Sequence, residues 1–206
     1  MEEELYQEKT RVSPTATIIL IAINVIVFLY TDLFLLSPAT FIANGASGYY
    51  PVLHDHEYYR MVTSMFLHAD LDHIFNNMLV LGVLGYYIEE NMGHLRFLML
   101  YFCSGLLAGC TSIVYNMLQM DLTTSIGASG AIFGLMGGIV FMVWHQHRNH
   151  RELDLRRLAF MVFLSLYGGF TSQGVDNAAH VGGFLSGILV TALLYLTLNR
   201  KGRNTT

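Results

Sequence analysis

The chain has 206 residues, of which 53% are hydrophobic and only 13% charged, with 19 glycines. A soluble domain averages about 45–50% apolar and about 25% charged residues, so this balance excludes an ordinary soluble domain and suits a bundle of membrane helices. The net charge of -4 comes without a basic cluster, which excludes a nucleic-acid-binding surface.

Residues 1–14 are polar, open with Glu2-Glu3-Glu4 and end at Pro14, as a short tail would. Apolar segments follow at 15–36, 73–88, 97–119, 129–145, 158–170 and 178–198. A membrane-crossing helix needs about 20 apolar residues, within a range of about 17–25. The first, third and sixth segments meet that length; the others are short or begin with polar residues. The first is too long and too acidic in its flank to be a cleaved signal. No internal repeat or low-complexity tract interrupts the pattern. It predicts an all-α, polytopic membrane protein: one six-helix domain over 15–198, between tails at 1–14 and 199–206.

Basic residues set an orientation. With six spans, Lys9, Arg11, Arg96, Arg148, Arg151, Arg156, Arg157, Arg200, Lys201 and Arg203 all fall on one side, and Arg60 alone on the other. Lysine and arginine favour the cytoplasmic side of short loops, so both termini are expected in the cytoplasm. Five or seven spans would split these clusters. Cys103 and Cys110 share one helical face, two turns and about 10 Å apart, too far for a disulfide. They are expected as small core residues.

In that topology the second, fourth and sixth spans all enter from outside. His73 and Asn77 open the second, Ser129 the fourth, and His180 lies near the start of the sixth. Ionisable and polar side chains inside a membrane are costly and point to function. From Ser129 to Trp144 is about 24 Å of helix at about 1.5 Å per residue. In a hydrocarbon core of about 30 Å, Ser129 then lies several ångströms below the outer edge and needs a water-filled cavity. Gly130, Gly134 and Gly138 line one side of the fourth span, and Gly183 and Gly187 share a face with His180. Glycine faces let helix backbones approach closely, which would bring Ser129 beside His180.

That juxtaposition suits hydrolysis. A serine hydroxyl needs a base to take its proton, and imidazole can return that proton to a leaving amine. The negative charge developing on the attacked carbonyl needs donors. The helix start at Ser129 offers free backbone N–H groups, and His73 and Asn77, four residues apart, can add two side-chain donors. Bonding between helices is a rival role for both, and the two roles can coexist. Ser129 alone would read as a packing residue, and His180 alone as a satisfied core histidine; the constellation is what argues otherwise.

These residues carry a resemblance: the chain resembles the rhomboid intramembrane serine proteases. Gly127-Ala128-Ser129-Gly130 with Gly134 is similar to that family's GxSGxxxG nucleophile motif. Ala179-His180 with Gly183 and Gly187 is similar to its AHxxGxxxG base motif, and His73 with Asn77 to HxxxN, which selects Asn77 over Asn76. His68 matches an upstream histidine, open between structural support and substrate contact. Glu89 and Gly93 match an ExxxG pattern read as structural. Two departures stand out. The first outer loop carries Tyr59-Arg60 where Trp-Arg is usual, and Phe133 stands where some members carry a tyrosine packed on the base. The resemblance implies stacking of Phe133 on His180 without the tyrosine hydroxyl. It also implies a serine–histidine dyad without an aspartate, no cofactor or metal, and single-span membrane proteins as substrates. The expected setting is the plasma membrane, with the active site opening outward.

Asp176, four residues before His180, could orient the ring, but an exposed acid at a helix start is the expectation. His54-Asp55-His56-Glu57 and His145-x-His147-x-x-His150 lack a fixed metal-ligand pattern and are expected as solvated interface residues. Gly168-Gly169 ends the short fifth segment, and a loop at 171–177 follows. A weakly packed helix under a mobile cap would admit a substrate helix sideways, past the second and fifth spans. A non-catalytic relative that binds membrane segments for quality control is the competing expectation; presence of both serine and histidine argues against it. A transporter or channel would need charged residues along a path, and the inner halves of the spans carry almost none.

Overall fold

The computed structural model describes residues 12–145 and 174–203. Within them the architecture is all-helical: α1 (Thr15–Phe34), α2 (Pro38–Gly45), α3 (Arg60–Thr63), α4 (Leu71–Met92), α5 (His94–Gln119), α6 (Ser129–His145) and α7 (Asn177–Arg203). A π-helical turn at Tyr50–His54 and a 3-10 turn at Ser64–Phe66 complete the first outer loop. The tail at 1–11, Arg148, Arg151, Arg156, Arg157, His147, His150, the fifth apolar segment with Gly168-Gly169, and residues 204–206 lie outside the described residues.

Thr15–Phe34, His94–Gln119 and Asn177–Leu196 are long and apolar enough to cross a membrane, and Ser129–His145 is a shorter apolar helix. Large apolar side chains cover the perimeter, among them Ile26, Leu33, Val83, Leu118 and Leu189. In water that surface would be an aggregation hazard; in lipid it is the solvated face. The chain is an integral, multi-pass membrane protein. Cys103 and Cys110 are free and exposed on this perimeter, not core residues as expected. In a bundle bathed by lipid, an apolar face gives no sign of whether it points in or out.

Helix ends follow local chemistry. Asp70 is extended and accepts a 2.8 Å bond from the His73 N–H, so α4 starts at Leu71 rather than at His73. Gly93, at φ 82°, makes the sharp turn between α4 and α5. Next to it, Glu89 is fully buried and accepts from the N–H groups of Ala16 (2.7 Å) and Thr17 (2.8 Å) and from the Thr17 hydroxyl (2.6 Å). His94 Nδ1 also meets this carboxylate. The carboxylate thus serves as the cap of α1, reached from another helix, where Pro14 supplies no side-chain cap.

At the centre, α6 packs against α7 and α5. Its glycines are required by the approach of backbone. A Cβ on Gly183 would run into the carbonyl of Gly130, one on Gly187 into that of Gly134, and one on Gly137 into that of Phe184. On the α5 side, a Cβ on Gly130 would lie 2.9 Å from that of Ala108. The core beneath is large and apolar: Phe97, Leu100, Tyr101, Leu135, Ile139 and Met142 are fully buried.

Candidate active site

The loop entering α6 is held by backbone from a distant stretch. Ser47 and Ser125 exchange both main-chain bonds (3.0 and 2.7 Å), and the Gly127 N–H donates to the Ser64 carbonyl at 2.8 Å. Those two partners belong to the stretch between α1 and α4, whose own shape depends on Arg60. The Arg60 guanidinium is buried; Nε donates to Glu57 at 2.6 Å and Nη1 to the carbonyls of Ala43 (2.5 Å) and Ala46 (3.2 Å). Thr63 adds a bond to the Gly45 carbonyl at 2.9 Å. Tyr59 stays exposed, its hydroxyl directed at the Asn44 carbonyl (3.4 Å). The Tyr59-Arg60 pair therefore splits into an outward ring and an inward clasp.

Gly127 turns the chain into the helix at φ 117°, a conformation that disfavours any side chain. Space gives a second reason: a Cβ there would lie 2.7 Å from His73 Nε2 and 3.7 Å from Asn77 Nδ2. Both side chains of α4 thus reach Gly127, in the loop that enters α6. Asn77 is buried while Asn76 is exposed. Ser129 is the first residue of α6, where unpaired N–H groups and the positive end of the helix dipole gather. Across the glycine seam, His180 Nε2 lies 3.0 Å from Ser129 Oγ. The His180 ring stacks on Phe133, centroids 4.1 Å apart and planes 18° from parallel. Its Nδ1 has no protein partner among the described residues.

His68 is buried edge-on against His73, with ring centroids 4.9 Å apart. Burial, and then the neighbouring His73, lower its pKa to about 4, so it is neutral at physiological pH. A neutral ring behind His73 supports that side chain without adding charge to the pocket. A chamber of about 40 Å³ adjoins Ser129, bounded by Ser64, Gly127, Gly130, Ser125 and Asp176 among others. A cavity needs about 10–15 Å³ to hold one water, so a few fit.

Asp176 is not the exposed acid that the sequence suggested. It is half-buried and accepts from the hydroxyls of Ser112 and Ser125 and, at 2.8 Å, from the Ala179 N–H. The helix-start position was legible from the sequence; the two serine partners, 64 and 51 positions away, were not. Ser47 and Ser64 left no sequence signal either, and for Arg60 the Tyr59-Arg60 pair marked the position but not the carbonyls it binds. His54 pairs with Asp55 at 2.8 Å, and no group of three metal-ligating side chains occurs among the described residues.

Comparison with known proteins adds a lineage. A family model described as the Rhomboid domain matches residues 55–197. RHOMBOID-like protein 1 of Arabidopsis thaliana is 36% identical over 149 residues, covering 71% of this chain and 37% of its own length. Rhomboid-like protease 1 of Toxoplasma gondii is 33% identical over 185 residues, covering 86% of this chain and 61% of its own. The Bacillus subtilis (strain 168) relative YdcA is 29% identical over 207 residues, covering 97% of this chain and 96% of its own length. The chain thus spans about a third to three fifths of the first two relatives and nearly all of the third. Because the family match runs through α4, α5, α6 and most of α7, the helices that build this pocket, the chain belongs to the rhomboid family.

Proposed function

We propose that this chain is an intramembrane serine endopeptidase that cleaves transmembrane segments of single-span membrane proteins. Ser129 is the nucleophile and His180 the base. The observation that carries this reading is the 3.0 Å contact between Ser129 Oγ and His180 Nε2, made by residues 51 positions apart and braced by the Phe133 ring. That separation lies within the range for a nucleophile and its base.

In the reaction, Nε2 takes the hydroxyl proton as Oγ bonds to the peptide carbonyl carbon. The resulting oxyanion is stabilised by the Ser129 backbone N–H, His73 and Asn77. Collapse breaks the C–N bond, and the amine leaves with the proton from Nε2. Water then attacks the acyl ester, giving its proton to Nε2, and the ester oxygen regains a proton as the acid departs. The unpartnered Nδ1 of His180 supports a dyad without a carboxylate. Gly127 and Gly130 clear room for the donors and for the helix contact; Phe133 and His68 hold the two imidazoles of the site.

Six spans, cytoplasmic termini, a plasma-membrane setting and an outward-opening site complete the reading, on the basic-residue pattern of the sequence. The substrate helix enters from the lipid, between the second and fifth spans; a disulfide joining those spans that left cleavage unchanged would refute this route. The central test compares wild type and Ser129→Ala, purified in detergent with a transmembrane substrate. Cleavage is expected to fall by about 10⁴-fold or more. Equal cleavage by both proteins rules out the dyad. Labelling of Ser129 by a fluorophosphonate that needs His180 separates an enzyme from a binding relative.

A further inference from the structure

We propose that Asp176 is the positioning residue for the base: it fixes how far along its axis α7 sits against α6, and so holds His180 in reach of Ser129. The inference rests on the protease reading above.

A glycine seam allows close approach, and few side chains key it: Thr191 of α7 is set against Gly138 of α6, and Phe133 of α6 stacks on His180. Gly183 and Gly187 present no side chain to catch on α6, and a slip of one residue moves a helix by about 1.5 Å. Proton transfer between Oγ and Nε2 tolerates far less. Asp176 adds a fixed point at the start of α7, where a slip would displace His180 most directly. One carboxylate oxygen accepts from the Ala179 N–H at 2.8 Å, inside the first turn of α7. The other accepts from both Ser112 on α5 and Ser125 on the loop that leads to the nucleophile. The Asp176 carbonyl in turn accepts from the His180 N–H at 3.1 Å. Hydrogen bonds to an ionised carboxylate are short and about twice as strong as neutral ones. A single side chain thus ties the start of α7 to the loop that carries Ser129 and to the helix behind both.

Direct assistance to the imidazole is a different role, and the geometry speaks against it. Both Asp176 oxygens are engaged elsewhere, and His180 Nδ1 has no protein partner among the described residues.

The test uses purified full-length protein in detergent, with Asp176→Ala, Asp176→Asn and the pair Ser112→Ala/Ser125→Ala. Rates are normalised to the folded fraction from thermal melts. Misplacement of a catalytic group by about 1 Å can cost about 10²-fold, so Asp176→Ala is expected to lose up to that in kcat with KM unchanged. The serine pair loses activity in the same way, although the cap on α7 remains. Asparagine keeps one acceptor oxygen and can offer its NH2 to a serine oxygen, so it restores part of the rate. Wild-type kcat in the serine pair would reduce Asp176 to a helix cap and overturn the proposal. A loss of kcat in Asp176→Asn as large as in Asp176→Ala, with the serine pair unaffected, would overturn it in favour of direct electrostatic assistance. Wild-type protein without Ser129-dependent labelling would overturn the protease reading itself, and this role with it; intact wild-type labelling alongside full activity in Asp176→Ala would overturn only this role.

Discussion

Helix α7 meets α6 backbone to backbone, whereas α1 meets α4 through side chains and one buried carboxylate. In the first contact, the atoms that a Cβ would strike at Gly183 and Gly187 are main-chain carbonyls, which cannot move aside. In the second, a Cβ on Gly85 would lie 2.8 Å from Thr17 side-chain atoms, and one on Gly82 would lie 3.7 Å from Ile21. Side chains can change rotamer, and the Glu89 cap secures the end of α1 rather than its length. The difference separates two tasks. The α6–α7 seam brings Ser129 and His180 to the separation that the proposed chemistry needs, while the α1–α4 contact holds a helix in the bundle.

Breaking each contact should give different failures. The largest effect is expected for Gly187→Val, whose side chain has no room against the Gly134 carbonyl. Overpacking costs about 1–3 kcal/mol where neighbours can yield, and here they cannot. Loss of fluorophosphonate labelling together with a collapsed melting transition is expected; a labelled, stable variant would show the seam to be loose. Next comes Asn77→Ala, expected to slow cleavage by about 10²–10³-fold without changing the melting temperature, as for removal of an oxyanion donor. An unchanged rate would make Asn77 a structural residue.

Across the bundle, Glu89→Gln should behave in the opposite way. The cap loses hydrogen bonds to a charged acceptor, each worth about 1.5–3 kcal/mol, so thermal stability falls. Activity per folded molecule should stay near wild type, and a selective loss of kcat would erase the distinction between the two contacts. The smallest effect is expected for Phe133→Leu, which keeps bulk but removes the ring from His180. Aromatic pairing is worth about 0.5–1.5 kcal/mol, so the cleavage rate should drop by about 2- to 10-fold. A loss beyond 100-fold would mean that the ring does more than steady the base.

What could be read from the sequence follows the same physical division. Ser129 opens α6, as the apolar pattern predicts, because a membrane helix is written in its length and composition. The histidine and asparagine of α4 and the histidine of α7 were legible because polar side chains stand out in apolar segments. The outer loop was not. Its helices run eight residues (Pro38–Gly45) and four (Arg60–Thr63), too short to carry a period, and their stability comes from Arg60 binding distant carbonyls. Nor does hydropathy separate Cys103 on the perimeter from Ser104 in the core, since lipid accepts what the interior accepts.

The Ser47–Ser125 pair and the Gly127–Ser64 bond leave Ser129 hanging from scaffolding laid down 63 (127 − 64) to 78 (125 − 47) residues earlier in synthesis. On the proposed mechanism, a nick in the polypeptide between positions 47 and 64 would loosen the mooring of Ser129 without touching any residue of the reaction. The same dependence would let any grip on the 47–64 stretch act on Ser129 without reaching it.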